Sequence, residues 1–553
     1  MISLKKFSKT HLVSGLLLLA AAVLLSCALF SCDTGAQGSR PDDTGSTTFT
    51  ETTAETEPET ELSTEATTET EAKQETGTES SPETEAQTEP ETAPETIPET
   101  TAPETTSPET TTPVTTTTET KAPEKEPKPN GPATPVIPST GRLPIINIDT
   151  GGREVVSRDN YVSCTVVVAD AGGAASPLTA QIRVRGNSSA YYGKVDKIRK
   201  NPVPYKLKFD AKTNLLGLHD GKSFRDWVLL RADNDANSIS NEIALRLGRA
   251  IIGEDQYCAD ACLVRLYMGG RDLGVYVLTE QCEVKKNRVN INEPDENSRD
   301  VLTGYYLEIE NYTRGEVTFT QNYASATVTD IEGTTRAFKK VAYSVKSRIN
   351  TDEQLSFIKK YMNNAFTVVY EACEKKRFLT FNDNFDLVEG DFPDAETAVG
   401  AVLDLDAAVN MYILYELVHD FDIGEGSFFM SVDLTPGVGD GRVTFTSPWD
   451  FDWICSGKSE NKYWAATFCQ KSFADQFGER SNPWFIVLAK QDWFIRRVKA
   501  RWVEVLPGIR NALAEDSALI KTYARDLEDT YTPKRIVSWL TARADWLDKV
   551  WGK

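Results

Sequence analysis

Histidine is nearly missing from this chain: three occur in 553 residues, His11, His219 and His419. A zinc site built on several imidazoles is thereby excluded, and a Ser/His/Asp triad would have to use His219 or His419. His419 stands beside Asp420 as in a His-Asp metal pair. Such pairs need further histidines, so the better reading is a polar residue closing a helix. Paired cysteines are missing as well. Of nine Cys none lies in a CxxC pair, and Cys258 and Cys262 have no histidine near them, which argues against zinc. The seven cysteines beyond the first 32 residues read as mostly buried thiols with one or two bridges. No Lys/Arg-rich patch interleaved with aromatics occurs, so nucleic acid is not an expected partner.

Apolar side chains are scarce between residues 33 and 140, which are Thr, Glu and Pro with little else. This stretch holds 24 Asp/Glu against 5 Lys/Arg and carries −19 of the net charge of −22. The unit Pro-Glu-Thr recurs, as at 82–84, 94–96, 103–105 and 108–110. Too little apolar surface is present to offset chain entropy, so a disordered stalk is expected, stiffened by like charge and proline. At ~3.3 Å per residue its contour would reach roughly 350 Å. Residues 1–32 read as a secretory leader, with Lys5, Lys6 and Lys9 before an almost continuous apolar run from 11 to 30. The run ends in Leu29-Phe30-Ser31-Cys32-Asp33, similar to a bacterial lipoprotein box with Cys32 as the lipidated residue. The alternative is an uncleaved transmembrane anchor. Either way the remainder, 141–553, is expected on the extracellular face of a bacterial membrane. Its net charge is only −6 and says little about its ligand.

From 143 to about 310 the pattern is strand-rich: apolar or alternating runs at 143–149, 161–168, 180–185, 203–209, 262–267, 274–280 and 304–310, with one helix at 238–251. On the 203–209 run, Lys206 and Lys208 share one face, and Tyr205, Leu207 and Phe209 share the other. The second half reads as helical, at 351–375, 403–418, 484–506, 509–527 and 532–551. Thr351-Asp-Glu-Gln354 is a helix-start signature, and Pro483 and Pro533 mark two further starts. The expected fold is one α+β unit in two lobes, a strand-rich N-lobe and a helical C-lobe.

The stretch 419–457 organises the rest. His419-Asp-Phe-Asp422 and Trp449-Asp-Phe-Asp-Trp453 are acidic turns, and between them lie two strand-like runs around a Gly/Pro/Asp turn. A hairpin would bring the two turns together. Aspartates so gathered repel unless a cation or proton joins them, which points to a metal and phosphate site. Upstream, Arg183 and Arg185 precede a turn at Gly186, and Lys206 follows on a strand. Gly turn, strand Lys, catalytic-type Asp and metal-type Asp is the order of parts in phosphoryl-transfer enzymes of the kinase class.

At this point the chain resembles a known family, the spore coat protein H (CotH) kinases, from about 143 to about 530. The resemblance rests on Ile182-Arg-Val-Arg-Gly-Asn-Ser-Ser189, Pro204-Tyr-Lys-Leu-Lys-Phe209, Leu229-Leu-Arg-Ala-Asp-Asn-Asp235 with Asn241, Gly274-Val-Tyr-Val-Leu-Thr-Glu-Gln281 and Trp449-Asp-Phe-Asp-Trp453. It implies an atypical protein-kinase-like two-lobed fold that uses ATP and Mg²⁺ (or Mn²⁺) to phosphorylate Ser/Thr of a protein. Carried over, Asp422 is the catalytic Asp and Asp450 the metal-binding Asp. Lys206 is the nucleotide Lys, with Lys208 the alternative, and Arg185, Gly186 and Asn187 form the phosphate turn. Glu280 is the candidate partner for the Lys or for metal. Five residues past the catalytic Asp the pattern has Asn, and here Ser427 stands, a weaker metal ligand; Asp420 with Glu425 is the alternative alignment. The rival function is a non-catalytic binding or adhesion module on a cell-surface stalk.

Overall fold

The computed structural model describes residues 141–553 except 171, 187–188, 191–202, 232–234, 311–316, 324, 339, 421–422, 461–462, 464–481 and 528. The expected leader, its Cys32 and the stalk therefore lie outside the described residues. Among the described residues no helix is long and apolar enough to cross a membrane.

The strand-rich half closes on itself. Its strands are β1 (Ile145–Asp149), β2 (Val162–Asp170), β3 (Gly173–Ala174), β4 (Leu178–Val184), β5 (Tyr205–Thr213), β6 (Phe224–Leu230), β7 (Ala261–Met268) and β8 (Arg271–Glu280). The order β1-β7-β8-β6-β5-β4-β2 returns to β1, which also pairs with β2, so seven strands form a barrel with β3 attached to β2. The pairs are antiparallel except β1 with β7. Closure leaves those seven strands without an open edge. Alternate residues fill the interior, among them Ile146, Val166, Ile182, Leu207, Trp227, Leu266 and Leu278. The long helix α1 (Asp235–Ile252) joins β6 to β7.

The second half is a sheet packed among helices. Its strands are β9 (Gly304–Ile309), β10 (Thr318–Thr320), β11 (Thr327–Thr329), β12 (Thr335–Ala337), β13 (Ala342–Val345), β14 (Leu379–Phe381), β15 (Leu387–Glu389), β16 (Phe428–Asp433) and β17 (Thr444–Thr446). The main sheet runs β10-β13-β9-β16-β17, while β11–β12 and β14–β15 are separate hairpins. The expected acidic hairpin is β16–β17, antiparallel, with Phe429 opposite Thr446.

The helices are α2 (Asp352–Tyr370), α3 (Ala395–Gly400), α4 (Leu405–Val418), α5 (Phe485–Leu488), α6 (Asp492–Thr522) and α7 (Tyr531–Trp551). The capping box expected at Thr351 is formed with Gln354. The break expected near 507 is absent: α6 runs 31 residues through Pro507. Proline removes one backbone bond, but Trp502, Val505, Leu506, Ile509 and Leu513 are all buried along this helix, so packing outweighs the loss. The expected bridges are also absent among the described residues, where Cys164, Cys258, Cys262, Cys282, Cys373 and Cys455 are free thiols.

His419 is a helix stop, as its surroundings in sequence imply. It caps α4 in the left-handed conformation at φ 57°, fully buried, its N–H donating to the Tyr415 carbonyl. Burial, and then the Arg543 guanidinium, hold its pKa down at about 2. The unfolded chain takes up this proton below about pH 6.5, and the folded chain refuses it. Stability is therefore lost as pH falls through 6.5, by about 2 kcal/mol from this residue between pH 7 and 5. Asn tolerates the same backbone and does not titrate. Denaturant unfolding of His419→Asn should show a shallower loss between pH 7 and 5 than the parent; equal slopes would show that the ring is not held neutral.

Candidate active site

A cavity of about 460 Å³ lies where the outer wall of the barrel meets the second sheet. Strand parity decides what reaches it. On β4 and β5, Ile182, Val184, Tyr205 and Leu207 fill the barrel, so Arg183, Arg185 and Lys206 stand outside and line the cavity. Arg183 and Lys206 are directly opposite in the β4–β5 register. From the facing sheet come Tyr306 and Glu308 of β9 with Glu310 just beyond it, and Ser427, Asp450 and Asp452 from the segments that flank the β16–β17 hairpin.

The hairpin brings Ser427, just before its first strand, beside the acidic turn that follows its second. The Ser427 hydroxyl donates to Asp450 Oδ2 at 3.1 Å. Both residues are left-handed, at φ 57° and 65°, which costs L-residues about 1–2 kcal/mol each. Asn241 of α1 offsets this by clamping the second turn. Its Oδ1 accepts from the Phe451 N–H at 2.9 Å, and its Nδ2 donates to Asp452 Oδ1 at 2.5 Å. Phe451 is fully buried, its ring 5.8 Å from that of Tyr415.

The Asp450 carboxylate meets water in the cavity while protein surrounds it on its other sides. Burial raises its pKa, opposed by the Ser427 hydrogen bond and then by Arg185. Burial lowers the pKa of Arg185, opposed first by Asp450. The Arg185 guanidinium also lies 5.5 Å from the centre of the Trp449 ring. Gly186 has φ 96°, and a Cβ there would sit 2.3 Å from the Ser189 hydroxyl, so only glycine fits this turn. Gly274 is needed in the same way, since a Cβ would stand 2.8 Å from Nη1 of Arg231, which donates to the Val275 carbonyl at 2.6 Å.

Arg185, Gly186, Lys206, Ser427 and Asp450 thus line one cavity. Lys208 is exposed and does not line it, and Asp420 and Glu425 are buried away from it. Asp422 and Asn187 fall outside the described residues. The expectation for Glu280 is corrected. It lies opposite Trp227, on the barrel's inner parity, whereas Lys206 lies opposite Val228 on the outer one. Its fully buried carboxylate is bound instead by His219 Nδ1 at 2.9 Å and the Tyr257 hydroxyl at 3.0 Å. The acid that meets Lys206 is Asp226, at 3.1 Å.

Sequence reading missed Glu308, Glu310 and Lys346, which also line the cavity, with Lys346 paired to Glu308 at 2.7 Å. The signal was there. Two carboxylates alternate within 304–310, a strand whose residues are otherwise apolar and buried. Arg158 and Arg231 also line it and were missed as well; Arg158 sits in a loop with no pattern to mark it.

Among the described residues no group of three or more His, Cys, Asp or Glu is gathered to hold a metal ion. Asp450 and Ser427 nonetheless offer two hard oxygen donors side by side at the cavity wall. That fits Mg²⁺, which takes one or two protein oxygens and fills the rest with water and phosphate. Asn241→Ala removes both bonds to the second turn and leaves a buried N–H unpaired. Unfolding should show a loss of about 1–3 kcal/mol; a loss below about 0.5 kcal/mol would mean that the turn is held without it.

No match was found among curated proteins. The family model described as CotH kinase protein matches residues 182–529, more than half of the chain. The chain belongs to the CotH kinase protein family.

Proposed function

We propose that this protein is an atypical serine/threonine kinase, its barrel serving as N-lobe and its helical half as C-lobe. In this reading the γ-phosphoryl group of ATP passes to a Ser or Thr hydroxyl of an extracellular or wall-associated protein. The observation that carries the reading is the convergence of Arg185, Gly186 and Lys206 from the barrel with Ser427 and Asp450 from the hairpin on one cavity. Family membership supports it. The leader ending at Cys32 and the Thr/Glu/Pro stretch support a lipid-anchored enzyme held off the outer face of the membrane.

The chemistry asks little covalent work of the protein. The acceptor oxygen bonds to the γ-phosphorus, the bond from that phosphorus to the bridging oxygen breaks, and ADP leaves. Asp422 takes the hydroxyl proton. Arg185 and Lys206 offset phosphate charge, and the Gly186 turn lets the backbone approach it. Asp450 and Ser427 would hold Mg²⁺ (or Mn²⁺), which supplies further neutralisation of the phosphate oxygens. Since burial raises the Asp450 pKa, protons compete with the cation, and activity should climb with pH above the ordinary carboxylate range.

The test is transfer of label from γ-labelled ATP to a Ser/Thr-rich acceptor by the purified chain, with Mg²⁺ or Mn²⁺, beside Asp422→Ala and Asp450→Ala. Transfer by the parent, reduced about 100-fold or more in each variant, is expected. No transfer, and no rise in melting temperature with ATP and metal, would overturn the kinase reading in favour of a binding module on a stalk.

A further inference from the structure

We propose that Asp226 is the positioning residue for Lys206, and that Arg288 holds Asp226 in place. The inference rests on the reading of the cavity as a nucleotide site. A lysine ammonium is a point charge on a flexible stem, so its value at a phosphate depends on what fixes it. Asp226 lies on β6, opposite Lys208 in register. It therefore shares the outer face with both lysines, yet its carboxylate meets Lys206, the diagonal neighbour, at 3.1 Å. Both side chains are mostly buried, 17% exposed for Lys206 and 13% for Asp226. Lys206 lines the cavity and Asp226 does not, so the acid stands behind the ammonium.

The acid is itself pinned. Its backbone carbonyl accepts from Arg288 Nη2 at 2.8 Å. The Arg288 side chain is fully buried, 4.0 Å from the centre of the Phe224 ring, and its other nitrogen binds Glu283. Glu283 reaches the cavity wall. Glu283, Arg288, Asp226 and Lys206 thus form a connected run that begins and ends at the cavity, an ion pair at each end and the Asp226 backbone carbonyl between them. Burial, and then Asp226, raise the pKa of Glu283, as expected where two acids share a partly desolvated site held together by the interleaved cations. A run that merely stabilised the sheet would have no reason to reach the cavity at both ends.

The experiment is a double-mutant cycle on the full chain, with Mg-ATP as the probe and both KM for ATP and kcat recorded. Asp226→Asn should raise KM for ATP about tenfold, with kcat within about threefold of the parent, and Asp226→Glu should recover part of the loss. In a Lys206→Ala background, Asp226→Asn should add nothing further. Lys212→Ala, further along β5 and exposed, should leave both parameters unchanged. Thermal melts of each variant separate misfolding from lost positioning. An unchanged KM in folded Asp226→Asn, or multiplicative effects with Lys206→Ala, would overturn the assignment while leaving the kinase reading intact. A parent chain that neither turns over nor binds Mg-ATP would overturn both.

Discussion

A strand shows alternate side chains to opposite faces, and the cavity depends on that constraint throughout. Tyr205 and Leu207 are taken by the barrel interior, which leaves Lys206 outside. Tyr305 packs on Phe357 of α2, and Tyr306, one residue on, stacks on Phe429 and lines the cavity with Glu308 and Glu310. A slip of one residue in β5 would drive Lys206 into the barrel and push Tyr205 and Leu207 out. Closure of the seven strands opposes such a slip, because every one of them is paired on both sides. The chemistry of the cavity is thereby tied to the packing of a core that touches no ligand.

Charge is balanced across the walls in the same local way. Arg185 faces Asp450, Lys206 meets Asp226 and Lys346 meets Glu308. Each pair limits the cost of taking ions out of water, which can otherwise exceed their attraction. Balance is incomplete at the hairpin. Burial raises the Asp450 pKa and lowers that of Arg185, and each opposes the shift in the other. In the proposed kinase reading, a metal–phosphate complex would bring charge of both signs to this site. Its fixed dipoles and ions then act in a setting of reduced dielectric, where they count for more than in water.

Local pattern made much of this legible. The alternating runs became strands, the Thr351 signature became a capping box, and the acidic hairpin formed from the two expected strands. What escaped was non-local. The parallel pairing of β1 with β7 spans more than a hundred residues and leaves no mark in either strand, so closure into a barrel was invisible. Glu280 was misplaced because parity along β8 is plain, but which parity faces inward is set by its pairing with β6. Pro507 was read as a stop because its local cost is certain, whereas the burial that outweighs it lies in other elements.

Ser427 shows how a departure from the family pattern can be read physically. Asn suits a left-handed backbone better than Ser does, and reaches further. Ser427 accepts the strain, and its short hydroxyl binds Asp450 directly. Asp450 is strained in the same sense, and its turn is clamped from the other side by Asn241. The two turns therefore hold each other without help from a ligand, and the donors are already aimed before anything binds. Pre-organisation of this kind lowers the ordering cost of binding. In the proposed kinase reading, Ser in place of Asn would weaken one metal ligand while fixing the other in place.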